Sequence, residues 1–223
     1  MLERLQFIDQ ELFLFLNSLH SGYWDQFMWI FTAKLPWIPM YAAILYVICK
    51  NMRPSVSLLA VISIVLTIVY ADQICATLIR PLVERMRPSN PNNPISEWVH
   101  IVNGKRGGRY GFPSCHAANS FGLAFFVMLL FKNRLLTLFI LLWAALNSYS
   151  RIYIGVHYPG DLIAGMLVGL SGAVLMYKLY CYGLRRFINN DLHPRYPMQY
   201  SYVIILTGCI TVFLIALHPI YHA

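Results

Sequence analysis

Arginine, serine, histidine and aspartate residues form three short clusters in the middle of the chain. The first is Arg80-Pro-Leu-Val-Glu-Arg-Met-Arg87-Pro; if it is helical, its first and last arginines lie two turns apart on one face. Glu84 falls at i+4 from Arg80 and i−3 from Arg87, where its carboxylate would hold both guanidinium groups. Guanidinium groups fixed in this way bind phosphate oxygens well. Taken alone, the cluster favours an interfacial patch that binds anionic lipid, and a phosphate-binding site is the alternative interpretation.

The second cluster, Gly111-Phe-Pro-Ser114-Cys115-His116, stands directly before a long apolar run. Ser114 is placed to cap the helix that begins there. The free amides at a helix N-terminus bind anions, and a histidine in the first turn can act as a general acid or base. A helix cap followed by an interfacial histidine would explain the same residues without chemistry.

The third cluster runs from Ser150-Arg151 through His157 to Asp161. A carboxylate four residues after a histidine can accept the Nδ1 proton of the imidazole, which leaves Nε2 free as a nucleophile. Pro159 suits the first turn of the next helix and would place Asp161 near its start. A purely structural His–Asp pair is the alternative interpretation.

Together, the spacings Arg-x6-Arg-Pro, Pro-Ser-x-His and Ser-Arg-x5-His-x3-Asp, in this order, resemble the type-2 phosphatidic acid phosphatase superfamily. This superfamily contains lipid phosphatases and vanadium haloperoxidases, and the resemblance is to its bacterial membrane branch. It runs from about Asp72 to Gly172. The family usually has lysine where this chain has Arg80 and glycine where it has Cys115, so these two positions depart from its pattern.

The resemblance implies a mechanism with a covalent phosphohistidine. His157, oriented by Asp161, would attack phosphorus, and His116 would protonate the leaving oxygen and then activate water. The resemblance also implies which groups hold the phosphate oxygens: Arg80, Arg87, Arg151, Ser114 and the amide of Cys115. The sequence has no cluster of carboxylates that could hold a metal ion, so neither a metal nor another cofactor is expected.

The composition indicates a membrane protein. Of the 223 residues, 58% are apolar and 12% are charged, against about 45–50% and about 25% in soluble domains. The net charge of +8 comes from basic residues placed between apolar blocks, which favours lipid headgroups or phosphates over nucleic acid as partners. We expect an all-α, polytopic helical bundle with about six spans. The candidate spans are Trp37–Cys49 (extended upstream), Val56–Ile79, His116–Phe131, Leu135–Ile154, Leu162–Tyr180 and Tyr202–Leu217.

The N-terminal segment differs from these spans. Apolar residues recur at helical spacing from Leu5 to Leu19 with polar residues between them, which predicts an amphipathic helix on the membrane surface. We therefore expect one membrane-embedded domain over residues 1–223. It would have an interfacial segment at 1–34, a motif core at about 72–172 and an additional C-terminal span at 200–218.

A long polar loop between Arg80 and Cys115 joins the first two clusters, and the third returns to the same face two crossings later. Asp72 lies about two turns before Arg80, which favours a supporting ion pair. The same loop carries Lys105, Arg106 and Arg109 among glycines. These residues predict a basic rim that meets a second phosphate or a sugar headgroup, or else a plain solvated loop.

We therefore expect an enzyme, a metal-independent lipid phosphatase of the bacterial cell envelope. Its substrate would be undecaprenyl pyrophosphate, a lipid A phosphate, phosphatidylglycerol phosphate or phosphatidic acid. The alternatives are a protein that binds or transports lipid phosphates without hydrolysis, and a vanadate-dependent haloperoxidase. No obligate protein partner is expected.

The expected location is the inner membrane, with the site on the outer, periplasmic face. Bacterial members of the resembled family place their site on that side. Raw counts of basic residues on the two faces are nearly equal, but Arg80, Arg87 and Arg151 are set aside as phosphate ligands. The remaining bias places the opposite face in the cytoplasm, and that face carries Lys50, Arg53, Lys132, Arg134, Arg185, Arg186 and Arg195.

Overall fold

The apolar runs of the sequence form long helices. A computed structural model describes residues 2–188 and 200–221, so Arg195 lies outside the described residues. The α-helices in this part of the chain are α1 (Leu2–Ser18), α2 (Gly22–Phe31), α3 (Ile38–Asn51), α4 (Pro54–Gln73), α5 (Arg80–Val83), α6 (Cys115–Phe131), α7 (Arg134–Tyr153), α8 (Pro159–Gly183) and α9 (Ser201–Tyr221). Two π-helical segments, Ile74–Ile79 and Leu184–Ile188, follow α4 and α8. The predicted all-α helical bundle is confirmed.

Four helical stretches within the described residues are long and apolar enough to cross a membrane. They are Pro54–Val83, Arg134–Tyr153, Pro159–Ile188 and Ser201–Ile220. A fifth is present if the stretches Gly22–Phe31 and Leu35–Asn51 count as one span, and Cys115–Phe131 is a shorter apolar helix. The count of six spans stays a prediction.

The first predicted span does not extend upstream as a straight helix. Helix α2 and the stretch Leu35–Asn51 meet at an angle of 62° across a short break. Pro36 lies just after this break. Since proline has no backbone N–H to donate, a continuous helix is disfavoured there.

Helices α6 and α8 are in close contact because of the glycines that face their partner. Gly165 and Gly169 lie one turn apart on α8, a spacing that lets helix backbones approach closely. A Cβ atom on Gly169 would lie 2.8 Å from the backbone nitrogen of Gly122 in α6. At the ends of the two helices, the backbone nitrogen of Ser114 donates to the carbonyl oxygen of Asp161 at 3.0 Å. The second and third clusters are therefore adjacent.

Helix α1 has two different faces. Its apolar residues Leu5 and Phe15 are 57% and 61% exposed, whereas Phe13 and Asn17 are buried. The amide of Asn17 donates to the carbonyl oxygens of Ile152 and Tyr153 at 3.1 and 2.9 Å. One face of α1 is thus fastened to the end of α7, and the other has the exposed apolar surface of an interfacial helix.

Candidate active site

His157 lies in the short connection between α7 and α8, and its side chain is held at both ring nitrogens. Nδ1 lies 3.2 Å from Oδ2 of Asp161, and Nε2 lies 2.9 Å from Nη1 of Arg87. Because a guanidinium can only donate, Nε2 accepts this bond and the ring proton is on Nδ1. This is the tautomer that leaves a lone pair on Nε2 for attack on phosphorus.

The surroundings of His157 keep its imidazole neutral. The residue is 2% exposed, and its burial lowers its pKa well below the ordinary value of 6.5. The positive charges of Arg87, Arg151 and Arg80 lower this pKa further. A neutral ring is the form that has a nucleophilic lone pair at neutral pH.

The three arginines of the predicted phosphate site surround this histidine with spare hydrogen-bond donors. Arg87 donates to the carbonyl oxygen of Val156 at 3.0 Å, and Arg151 donates to Oγ1 of Thr32 at 2.9 Å. In each of Arg80, Arg87 and Arg151 the Nε atom is buried without a hydrogen-bond partner among the described residues. Buried unpaired donors are costly unless a ligand satisfies them. An anion such as phosphate would supply the missing acceptors.

Gly111 brings the loop close to these groups. The backbone nitrogen of Gly111 donates to the carbonyl oxygen of Arg85 at 2.9 Å, so the two ends of the loop pair. A Cβ atom at this position would lie 3.1 Å from Cγ of Arg87 and 3.2 Å from Oδ2 of Asp161. Glycine therefore leaves room for the arginine and the carboxylate.

The first turn of α6 carries the second cluster. Ser114 caps the helix, as predicted, and its hydroxyl oxygen accepts from the backbone nitrogen of Ala117 at 3.4 Å. Cys115 and Arg80, the two positions that depart from the family pattern, are in contact, since Nη2 of Arg80 lies 2.9 Å from Sγ of Cys115. The same Nη2 donates to the carbonyl oxygen of Pro113 at 3.1 Å. The arginine is thus bound to the segment that begins α6.

His116 has a partner that sequence analysis missed. Its Nε2 donates to Oδ1 of Asn147, which is buried in α7 one turn before Arg151. The available signal was an asparagine inside an apolar span, because such residues need a polar partner. This bond uses the proton on Nε2 of His116, so Nδ1 is the ring nitrogen left to give or take a proton as a general acid or base.

An apolar cavity of about 380 Å³ lies between α3, α4, α6 and α7. His116 and Asn147 form part of its wall, and apolar side chains such as Ile44 and Ile64 form much of the rest. This volume is within the range of small-molecule sites. The candidate general acid therefore borders both the phosphate site and a space suited to hydrocarbon.

The predicted role of Glu84 is wrong. Helix α5 ends at Val83, and Glu84 follows in the left-handed conformation with φ of 48°. Glu84 is exposed, and no ion pair joins it to an arginine within the described residues. Because the helix stops before Pro88, Arg80 and Arg87 are not two turns apart on one helical face.

The predicted ion pair of Asp72 with Arg80 is also wrong. Oδ1 of Asp72 lies 3.5 Å from Nδ2 of Asn119 instead. The π-helical segment Ile74–Ile79 lies between the two residues and changes the helical register. Arg80 consequently reaches Pro113 and Cys115 on the neighbouring segment.

The basic rim is exposed, and only part of it is fixed to the loop. Arg106 donates to the carbonyl oxygen of Ser89 at 2.7 Å, and Arg109 lies over the ring of Tyr110. Lys105 and Arg109 both keep exposed side chains. The exposed positive charge of the rim suits an anionic headgroup, and headgroup binding by the rim stays a prediction.

Two further residues near the site were missed by sequence analysis. Nη1 of Arg85 lies 3.1 Å from Oδ1 of Asp161 and 2.6 Å from Oδ2 of Asp9. Arg85 stood in the first cluster without a role, and Asp9 had the pattern of an ordinary polar residue on an interfacial helix. Their partners are distant in sequence, so no local spacing indicated the contact.

Comparison with known proteins agrees with the resemblance read from the motifs. The model of the PAP2 superfamily matches residues 58–185. The chain is 52% identical to the Lipid A 4'-phosphatase of Bacteroides thetaiotaomicron over 95% of both chains. It is 35% identical to the Lipid A 4'-phosphatase of Porphyromonas gingivalis over 85% of this chain and 80% of that protein.

One solved structure has the same fold. The crystal structure of Aquifex aeolicus LpxE superposes with a TM-score of 0.56 at 23% identity, covering 76% of this chain and 94% of that one. The family match spans more than half of the chain, and a relative is 52% identical along nearly its whole length. These findings confirm the predicted resemblance: this chain is a hydrolase of lipid phosphates and belongs to the PAP2 superfamily.

Proposed function

We propose that this enzyme removes the 4′-phosphate of lipid A by way of a phosphohistidine on His157. The chemistry rests above all on one observation. Nε2 of His157 carries a lone pair beside Arg87, in a site where three arginines have buried, unpaired Nε donors. A nucleophile surrounded by spare donors suits phosphoryl transfer, because the three equatorial oxygens gather charge in the transition state.

In the first step, the lone pair on Nε2 of His157 forms a bond to phosphorus, and the bond from phosphorus to the lipid oxygen breaks. Arg87 exchanges its bond to Nε2 for bonds to the phosphate oxygens, and Asp161 stabilises the positive imidazole through Nδ1. His116, in its imidazolium form, gives the proton on Nδ1 to the leaving oxygen and becomes neutral, while its Nε2–H stays bonded to Asn147. In the second step His116 takes a proton from water, the oxygen of that water attacks phosphorus, and inorganic phosphate leaves His157.

The proposed substrate rests on the relatives and on the surroundings of the site. The Lipid A 4'-phosphatases of Bacteroides thetaiotaomicron and Porphyromonas gingivalis are similar along most of the chain. The apolar cavity beside His116 suits the hydrocarbon part of a lipid, and the exposed basic rim suits a headgroup with a second anionic group. Undecaprenyl-diphosphatases are also relatives, among them one from Sulfolobus acidocaldarius that is 34% identical over 60% of this chain.

The oriented His–Asp pair favours hydrolysis over simple binding. Arginines alone would be enough to bind a lipid phosphate, whereas a neutral histidine with a fixed tautomer adds a nucleophile. The apolar spans likewise favour an embedded lipid substrate over the soluble substrates of a haloperoxidase.

We further propose that the site faces the periplasm from the inner membrane. The support is the balance of basic residues once the phosphate ligands are set aside. Lys50, Arg53, Lys132 and Arg134 lie at the ends of α3, α4, α6 and α7 that are opposite the site.

Phosphate release in detergent tests the substrate. Purified enzyme is assayed with lipid A, undecaprenyl pyrophosphate, phosphatidylglycerol phosphate and phosphatidic acid at equal surface concentration. We expect the highest kcat/KM with lipid A, loss of its 4′-phosphate by mass spectrometry, unchanged activity in EDTA and inhibition by vanadate. A higher kcat/KM with one of the other lipids would refute the proposed substrate, and loss in EDTA that Mg²⁺ restores would refute the metal-free chemistry.

A further inference from the structure

Arg85 links Asp161, the carboxylate bonded to His157, to the N-terminal helix α1. Its Nη1 lies 3.1 Å from Oδ1 of Asp161 and 2.6 Å from Oδ2 of Asp9, a residue of α1. Its guanidinium carbon lies 3.8 Å from the centre of the Tyr158 ring. The side chains of Arg85, Asp9 and Asp161 are 20%, 15% and 1% exposed, so this chain of charges is largely shielded from solvent.

Asp9 is itself fixed next to the catalytic segment. Its Oδ1 accepts from the backbone nitrogen of Gly160 at 2.7 Å, and its Oδ2 forms an ion pair with Arg85. Both carboxylate oxygens of Asp9 therefore accept hydrogen bonds. One bond comes directly from Gly160 at the start of α8, and the other comes from Arg85, which also binds Asp161 there. Arg85 is held between two carboxylates and above an aromatic ring, which restricts its guanidinium to one orientation.

This arrangement completes the hydrogen bonding of Asp161. Oδ2 accepts from the backbone nitrogen of Tyr158 at 3.0 Å and from Nδ1 of His157. Oδ1 accepts a hydrogen bond from Arg85, a residue outside the His157–Asp161 segment. With Oδ1 fixed, the carboxylate plane is fixed, and Oδ2 stays directed at the imidazole.

We propose that Arg85, clamped by Asp9 of α1, is a positioning residue for the reaction. It acts through Asp161 to hold His157 in its attacking orientation and to stabilise the carboxylate as the imidazole becomes positive. The inference rests on the proposed role of His157 as nucleophile. It makes the interfacial helix α1 a part of the catalytic apparatus through one side chain, Asp9.

The experiment compares Arg85→Gln, Arg85→Lys, Asp9→Asn and the double variant in detergent with lipid A. Arg134→Gln and Glu11→Gln are the matched controls, since both are exposed and Glu11 lies on the same helix as Asp9. Measured quantities are kcat, KM, the thermal midpoint Tm and the single-turnover rate of phosphohistidine formation.

We expect Arg85→Gln to lower kcat and the phosphohistidine rate about 10- to 100-fold, the loss that follows a small misplacement of reacting groups. KM should change less than about twofold, because Arg85 does not touch the phosphate in this arrangement. Arg85→Lys should recover part of kcat, and the controls should equal the wild type. Because the amide oxygen of asparagine can still accept from Gly160, Asp9→Asn affects the reaction through Arg85, and the double variant should be no slower than Arg85→Gln alone.

Three results would overturn the proposal. They are a full kcat in folded Arg85→Gln, a loss that appears only in KM or Tm, and losses of the two single variants that multiply in the double variant. Asp9→Asn retains the Arg85 side chain and weakens only the ion pair that clamps it, so this variant carries the same test if Arg85→Gln does not fold. A His157→Ala enzyme that keeps its activity would instead refute the proposed function, so the two failures are distinguishable.

Discussion

At the scale of single residues, the proposed mechanism depends on the state of His157. Asp161 accepts the proton on Nδ1 while Arg87 occupies the lone pair on Nε2. The bond from Arg87 is one that a phosphate can replace, because the guanidinium then turns to the phosphate oxygens. These two contacts keep the imidazole of His157 neutral and oriented, as the proposed attack on phosphorus requires.

Replacing His157 with alanine tests its covalent role. We expect His157→Ala to lose turnover by about 10³-fold or more, since no other group would accept the phosphoryl group. Acid-quenched mixtures with ³²P-labelled substrate should show an acid-labile, base-stable protein adduct in the wild type and none in the variant. Substantial turnover by the alanine variant would show that another nucleophile is used.

The lowered pKa of His157 gives a pH dependence with a definite sign. In the unfolded chain this histidine takes up a proton near pH 6.5, whereas in the folded protein burial lowers its pKa well below that value. Its contribution to stability is therefore intact above pH 6.5 and is lost as the pH falls below it. We expect Tm to fall more between pH 7.5 and pH 5.5 in the wild type than in His157→Gln. An equal fall in both proteins would contradict this assignment.

At the scale of helices, the site depends on the close contact of α6 with α8. Gly169→Ala would place a methyl group 2.8 Å from the backbone nitrogen of Gly122, and neither backbone can move aside cheaply. We expect destabilisation of about 1–3 kcal/mol, as for other overpacked interfaces, together with reduced kcat as Ser114 and Asp161 separate. Gly22→Ala in α2 is the control, because its Cβ atom meets nothing within 4 Å. Equal Tm and kcat for the two variants would refute this role of the glycine pair.

Helices were predictable from the sequence wherever apolar runs and caps coincide. Ser114 and Pro159 begin α6 and α8 as their residue types indicate, and the spacing of His157 and Asp161 gave their contact directly. Between Asp72 and Pro88 the same reasoning failed. There, a π-helical segment changes the register and Glu84 ends the helix in a left-handed conformation.

Contacts between distant segments were not predictable from local spacing. Asp9 and Arg85 are far apart in sequence, and each has an ordinary interpretation on its own helix or loop. Asn147 gave a weak signal as a polar residue in an apolar span. Only the packing of α1 and α7 around the start of α8 makes these residues neighbours of the predicted site.

At the scale of the whole molecule, membrane orientation can be tested with single cysteines. Cys49 and Cys209, which are exposed, are first replaced by serine. Asn92→Cys then marks the loop that carries the site, and Arg53→Cys marks the opposite end of α4; both positions are exposed. On intact spheroplasts we expect a membrane-impermeant maleimide to label Asn92→Cys at once and Arg53→Cys only after permeabilisation. The reverse pattern would overturn the periplasmic orientation.

The cavity beside His116 also bears on how inhibitors should be built. A compound with a phosphate-like head at the three arginines can extend an apolar arm past His116 and Asn147 into about 380 Å³ of mostly hydrocarbon-lined space. The arm would add affinity by burying apolar surface at about 25 cal/mol per Å². Alkyl phosphonates of increasing chain length should therefore gain potency until the cavity is full and then level off.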